Sequence, residues 1–178
     1  AMQAGRQITI YGDYDVDGLR GAAILVLAFR HLGVRVAAYI PTRYEEGYGL
    51  NAAALRQLAA DGARVIVTVD CGITAVSEAQ VARELGVDLI VTDHHLISDG
   101  VPPAMAVINA RQDGCSYPFK EPSGGGMAYK RAADWLARLW GLGAARDRHT
   151  PQSERRRRGG VGGGSRGRGL SACAAGPL

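Results

Sequence analysis

A chain of 178 residues, 47% apolar and 21% charged, is long enough for one α/β domain with its own core and has the composition of a soluble globular protein. The net charge of +4 does not describe its body, because six arginines after Thr150 stand against Glu154 alone and leave residues 1–149 at −1. Three cysteines, Cys71, Cys115 and Cys173, have no paired spacing and imply neither a disulfide framework nor a cysteine-rich zinc site. No apolar run approaches membrane-helix length and "AMQAGRQ" lacks a signal-peptide layout, so a cytoplasmic protein with no membrane partner is expected.

From the N-terminus, the apolar run at 8–11 predicts a strand, and 19–32 a helix ended by Gly33. A strand at 34–40 and a helix at 52–60 follow, the helix capped by Asn51 and ended by Gly62. Next come a strand at 65–69, a helix at 75–85 between a Thr74 cap and Gly86, and strands at 89–91 and, more weakly, 106–108. A last helix is expected at 127–139, after the glycine run "SGGG". This alternation is the sequence form of repeated βαβ units, so the fold class is α/β, a parallel sheet flanked by helices. From His149 the chain is Gly, Arg and Ser with almost no apolar periodicity. Residues 1–148 are therefore expected to form the domain and 149–178 a disordered tail, either a basic tether or sequence read in another frame.

Ligands of open parallel sheets bind beyond the carboxyl ends of the strands, and the polar clusters fall there. Asp13, Asp15 and Asp17 follow the first strand in "YGDYDVDG", Asp70 follows "VIVTV", and Asp93, His94 and His95 follow "LIVT". Each cluster alone has a plainer reading: "DxD" as a solvated turn or helix cap, Asp70 as a cap, "DHH" as a helix start. Carboxylates gathered this closely repel one another unless a cation or backbone amides offset them. Three coincidences at successive strand ends point to a metal site, and oxygen-rich ligation with one imidazole suits Mn²⁺ or Mg²⁺, two ions being the natural count.

The segments "GDYDVDG", "VTVDCGI" and "VTDHH", in this order, resemble the first three motifs of the DHH phosphoesterases. With "IPTRYEEGYGLN" and "PFKEPSGGGMAYK" the chain is most similar, within that superfamily, to the RecJ-like single-strand-specific exonucleases, over about residues 7–139. The resemblance implies a two-ion Mn²⁺ or Mg²⁺ centre in which Asp15 and Asp17 ligate the ions, Asp70 bridges them and His94 ligates one. His95 would face the scissile phosphate, and Asp13 would be a ligand or an acceptor behind the ligands. Inorganic pyrophosphatases of the superfamily are less similar: where their first motif has a ligating histidine, Tyr11 stands. Arg43, Tyr44 and Tyr48 combine a guanidinium with aromatic faces for a nucleic-acid strand, against the plainer reading of a glycine-rich loop. Gly125, Gly126 and Lys130 offer helix N-terminal amides and a cation for phosphate, against that of a flexible turn.

The function so implied is 5′ to 3′ hydrolysis of single-stranded DNA in repair and recombination, by a monomer working with single-strand-binding protein or a helicase. Alternatives are a phosphodiesterase of short oligonucleotides or cyclic dinucleotides, and a non-catalytic nucleic-acid-binding scaffold. Against the family pattern the chain reads as truncated at both ends. A fourth motif with a further aspartate is not legible after the last helix, where Asp134 and Asp147 are poor substitutes, and Arg20 stands where the family has a small hydroxyl residue.

Overall fold

A computed structural model describes residues 7–42, 49–98, 100–139 and 170–172. Six strands, β1 (Ile8–Gly12), β2 (Val36–Tyr39), β3 (Val65–Val69), β4 (Asp88–Thr92), β5 (Ala106–Ile108) and β6 (Leu170–Ala172), form one sheet in the order β2-β1-β3-β4-β5-β6. Every neighbouring pair is parallel. Among the described residues four helices belong to it: α1 (Val16–His31), α2 (Ala52–Ala60), α3 (Val76–Glu84) and α4 (Gly124–Leu139).

Side chains alternate across a strand, and both faces of this sheet are apolar because both are covered. Ile8, Ile10, Val65, Val67 and Val69 pack against Leu25 and Phe29 of α1 and Ala128 and Ala132 of α4. Tyr11, Ile66, Leu89, Val91 and Val107 pack on the other face against Leu55 of α2 and Ala79 and Ala82 of α3. The chain runs outward from β1 to β2 and then crosses to β3. The exits of β1 and β3 thus diverge around one crevice, the place where such sheets hold ligands.

The five expected strands and four expected helices are all present. Gly33, Gly62 and Gly86 each take a positive φ, and Asn51 caps α2 by accepting from the Ala54 amide at 2.7 Å. Several details differ. Asp15 caps α1, so that helix starts at Val16 rather than residue 19. Ala75, not Thr74, stands at the cap of α3 without a side-chain bond; a tight turn in which Val76 N donates to Thr74 O at 3.0 Å replaces it. The strand β6 lies in the stretch expected to be disordered; it pairs with β5, and the rest of 140–178 lies outside the described residues. Cys115 is disulfide-bonded where no pairing was expected, while Cys71 is free and buried.

Tyr11 is fully buried, its hydroxyl donating to Gly49 O at 3.0 Å and accepting from Asn51 Nδ2 at 3.4 Å. It ties β1 to the start of α2 and plays a packing role, not a ligating one. Tyr11→Phe is expected to cost about 1 kcal/mol of stability, because one buried carbonyl loses its donor. Urea unfolding checks this; an unchanged midpoint would remove the hydroxyl from the account.

Candidate metal centre

The sheet itself aligns the acidic residues. Asp13 N donates to Val69 O at 3.1 Å, Asp70 N to Thr92 O at 3.0 Å and Asp93 N to Ile108 O at 3.1 Å. Each strand is thus extended by one residue, and that residue is an aspartate buried to within 2% exposure. Asp70 does this at φ 65°, a left-handed conformation that aspartate and asparagine tolerate better than most residues.

Ligand atoms of Asp13, Asp15 and Asp70 lie within 4.8 Å of one another, as do those of Asp70, His94 and His95. Asp70 is common to both groups. His94 Nε2 stands 2.8 Å from Asp70 Oδ1 and 4.0 Å from Asp17 Oδ2. The plainer reading of "DxD" is also realised, since Asp15 Oδ1 accepts the amides of Asp17 and Gly18, both at 2.9 Å. Asp15 is thus both the cap of α1 and a member of the acidic group.

Asp17 is held differently. Its Oδ2 accepts Gly124 N at 2.5 Å and its Oδ1 accepts Gly125 N at 2.9 Å, so the first amides of α4 close on this carboxylate. This is why α4 begins three residues earlier than its apolar pattern suggests: glycines are poor helix formers, but an acceptor at the N-terminus satisfies their amides. The glycines are also required sterically, because a Cβ at Gly124 would lie 2.7 Å from Asp70 side-chain atoms. The anion expected at Gly125 and Gly126 is therefore supplied by the chain itself. Gly125 N is taken by Asp17, and Gly126 N donates to Ser123 Oγ at 3.1 Å. Lys130 turns away from these amides, its Nζ 3.1 Å from Tyr117 Oη and 4.3 Å from the ring centroid.

Asp93 organises the histidines. Its Oδ1 accepts from His94 N at 2.7 Å and His95 N at 3.1 Å and lies 2.7 Å from His95 Nδ1, while Oδ2 accepts Ile73 N at 2.9 Å. A proton on Nδ1 would let His95 donate to Asp93 and leave Nε2 as the ring's second polar atom. Burial lowers the His95 pKa, but the Asp93 hydrogen bond, the Asp93 charge and the Asp70 and Asp13 charges outweigh it, and the net shift is upward. His94 moves down, through burial first and then the neighbouring His95. Burial, with Asp17 and Asp15 adding repulsion, pushes Asp70 up to about 7. Asp13 is raised by burial, partly offset by a backbone hydrogen bond at Tyr14.

Among the described residues the buried Oδ1 atoms of Asp13 and Asp70 receive no hydrogen bond, although His94 Nε2 stands 2.8 Å from the second of them. Buried acceptors are almost always satisfied, and two orphaned carboxylate oxygens beside an imidazole are what a hard divalent cation would satisfy. The residues present fit Mn²⁺ or Mg²⁺. Asp134 does not join them: it pairs with Arg131 at 3.4 Å within α4. Asp147, Arg43, Tyr44 and Tyr48 lie outside the described residues.

The profile of the DHH family, N-terminal domain, matches residues 7–152. The chain belongs to the DHH family. This DHH domain is 45% identical over 139 residues to the single-stranded-DNA-specific exonuclease RecJ of Bacillus subtilis, covering 78% of this chain and 18% of that protein. Against RecJ of Escherichia coli the identity is 44% over 130 residues, 72% of this chain and 22% of the relative. The DHH domain superposes on a crystal structure of exonuclease RecJ bound to manganese with a TM-score of 0.70 at 38% identity, covering 79% of this chain and 35% of that one. For RecJ of Thermus thermophilus in complex with Mn²⁺ the TM-score is 0.63 at 33% identity, covering 79% and 19%. The chain spans about a fifth of the length of the curated relatives it matches.

The sequence reading missed two features of the DHH domain. The clasp of Asp17 by Gly124 and Gly125 joins residues more than a hundred positions apart, and no local pattern announces it. Arg111, just beyond β5, influences His94 electrostatically, yet it follows the weakest strand and carries no motif.

Proposed function

We propose that this chain is the hydrolytic core of a RecJ-like exonuclease, cleaving single-stranded DNA from the 5′ end with two Mn²⁺ or Mg²⁺ ions. One observation carries the reading: three adjacent strand exits place two groups of ligand atoms around a shared, buried Asp70. Asp15, Asp17, Asp70 and His94, with Asp13, would hold the ions, whose chemistry is to activate water and stabilise charge on phosphoryl oxygens. Asp17 would reach the centre while its oxygens keep the Gly124 and Gly125 amides, since each carboxylate oxygen has two lone pairs.

The protein's own groups have definite tasks. Asp93 fixes the His95 ring through Nδ1 and favours its protonated form. His95 is thus suited to donate a proton at Nε2 to a phosphate oxygen or to the departing hydroxyl. The narrow packing of Gly124 against Asp70 keeps that carboxylate from turning out of the crevice.

Joined to the downstream part of a RecJ relative and incubated with Mn²⁺ and 5′-labelled oligonucleotides, the chain is expected to release labelled mononucleotides from single strands and to spare duplexes, with an Asp70→Asn variant folded but inactive. Release of 3′ label first would overturn the direction. A preference for dinucleotides over long strands would move the reading to an oligonucleotide phosphodiesterase.

A further inference from the structure

A fourth strand exit reaches the same crevice and brings the opposite charge. Beyond β5, the fully buried Asn109 donates from Nδ2 to His95 O at 2.9 Å and accepts Arg111 N at 2.7 Å on Oδ1. One rigid side chain therefore links the backbone of His95 to that of Arg111.

Arg111 is poorly committed within the protein. Among the described residues its buried Nε has no acceptor, and its Nη2 meets only Glu121 Oε1 at 3.5 Å. Glu121 is 76% exposed, so this long ion pair is easily exchanged. Nε and Nη2 form the side-on edge of the guanidinium fork, which matches two oxygens of one phosphate. A buried donor left unsatisfied beside a weakly held partner is the signature of a missing anion rather than of a structural arginine. The surroundings also require a cation, because Asp13, Asp15, Asp17, Asp70 and Asp93 converge on the crevice while its substrate is itself anionic.

We propose that Arg111 is a phosphate-binding residue of this centre, exchanging Glu121 for a phosphate group carried past His95. The chemistry is that of a phosphate diester or monoester. The assignment rests on the nuclease reading for its substrate, a nucleic-acid strand, but not for its ligand group.

The test titrates the full chain with a thymidine tetranucleotide and, separately, with inorganic phosphate, in Mn²⁺, by calorimetry. Arg111→Gln is expected to weaken tetranucleotide binding on the order of tenfold, the loss of one charge-assisted contact. Mn²⁺ affinity and the unfolding midpoint should stay as they were. Arg111→Lys should recover only part, since a point charge lacks the fork. Glu121→Gln, which leaves the guanidinium intact and removes its competitor, should tighten binding. Weakening of tetranucleotide alone assigns the group to an internal diester, and equal weakening of inorganic phosphate to a terminal or free phosphate; either supports the proposal. Unchanged binding in Arg111→Gln overturns it, as does loss of Mn²⁺ affinity in the same variant, which would make Arg111 a support of the His95 loop. Phosphate binding that depends on Arg111 without tetranucleotide binding would uphold the residue and sink the nuclease reading. Binding of neither would overturn both.

Discussion

Replacing Asp70 with asparagine is expected to stabilise the metal-free chain above pH 7 while abolishing its stabilisation by Mn²⁺. Burial, Asp17 and Asp15 raise the Asp70 pKa from 3.8 to about 7, so between these values the folded chain holds a proton that the unfolded chain has lost. The stability this proton represents is complete below pH ~4 and is lost as pH rises through ~7. Above that, the folded chain carries a buried carboxylate with like charges beside it. Asparagine removes the charge, keeps an acceptor opposite His94 and tolerates the φ of 65°, for a gain on the order of 2–4 kcal/mol at pH 8 and little at pH 4. Wild type should be rescued at pH 8 by Mn²⁺ at a hundredfold excess over its dissociation constant, worth about 2.7 kcal/mol, and the variant should not. Thermal unfolding at the two pH values, with and without Mn²⁺, reads all four states. An asparagine variant stabilised by Mn²⁺ as strongly as wild type would exclude Asp70 from the metal ligands.

Gly18→Ala should be the most damaging single-methyl change in the domain. Gly18 lies in the first turn of α1, where a Cβ would come 2.5 Å from Asp13 O, 2.7 Å from Asp13 N and 2.8 Å from Asp13 Cα. These are backbone atoms fixed by the sheet, so the helix must move. Alanine gains about 1 kcal/mol in helix propensity over glycine, but overpacking against fixed atoms costs about 1–3 kcal/mol and separates Asp13 from Asp15 besides. A net loss of roughly 2 kcal/mol is expected, together with weaker Mn²⁺ binding. Gly126→Ala is the control, since its Cβ meets only Ser123 Oγ at 3.4 Å. Denaturant midpoints for the two variants settle the matter; a Gly18→Ala protein as stable as wild type would mean that α1 is free to slide along β1.

What could be read in advance depended on how local its cause was. The runs "ITIYG" and "VIVTV" are strands because both sheet faces are covered, and their apolar continuity shows it directly. Asp13, Asp70 and Asp93 were legible as a set because a parallel sheet delivers strand exits to one edge, whatever the intervening helices do. The sequence could not separate a ligating from a supporting role for Asp13; the structure groups it with Asp15 and Asp70. Gly125 and Gly126 read as a phosphate cradle, whereas in the structure Gly125 N is taken by Asp17 and Gly126 N by Ser123, partners that no local pattern announces. Lys130 looked like a second cation for that cradle, and only packing shows that Tyr117 claims it. Arg111 was invisible because its significance lies in a partner it lacks.

The clasp on Asp17 has a consequence for the birth of the protein. Its two hydrogen bonds close loops of 107 and 108 residues, and contacts so distant in sequence form late, after the entropy of loop closure has been overcome. A chain emerging from the ribosome can pair β1, β2 and β3 well before residues 124 and 125 exist. Until then Asp17 faces Asp15 and Asp70 without its amides, and Val69 and its neighbours lack the cover of α4. Synthesis through α4 is therefore the step that gives Asp17 its two amides and covers Val69, so the acidic crevice is completed last.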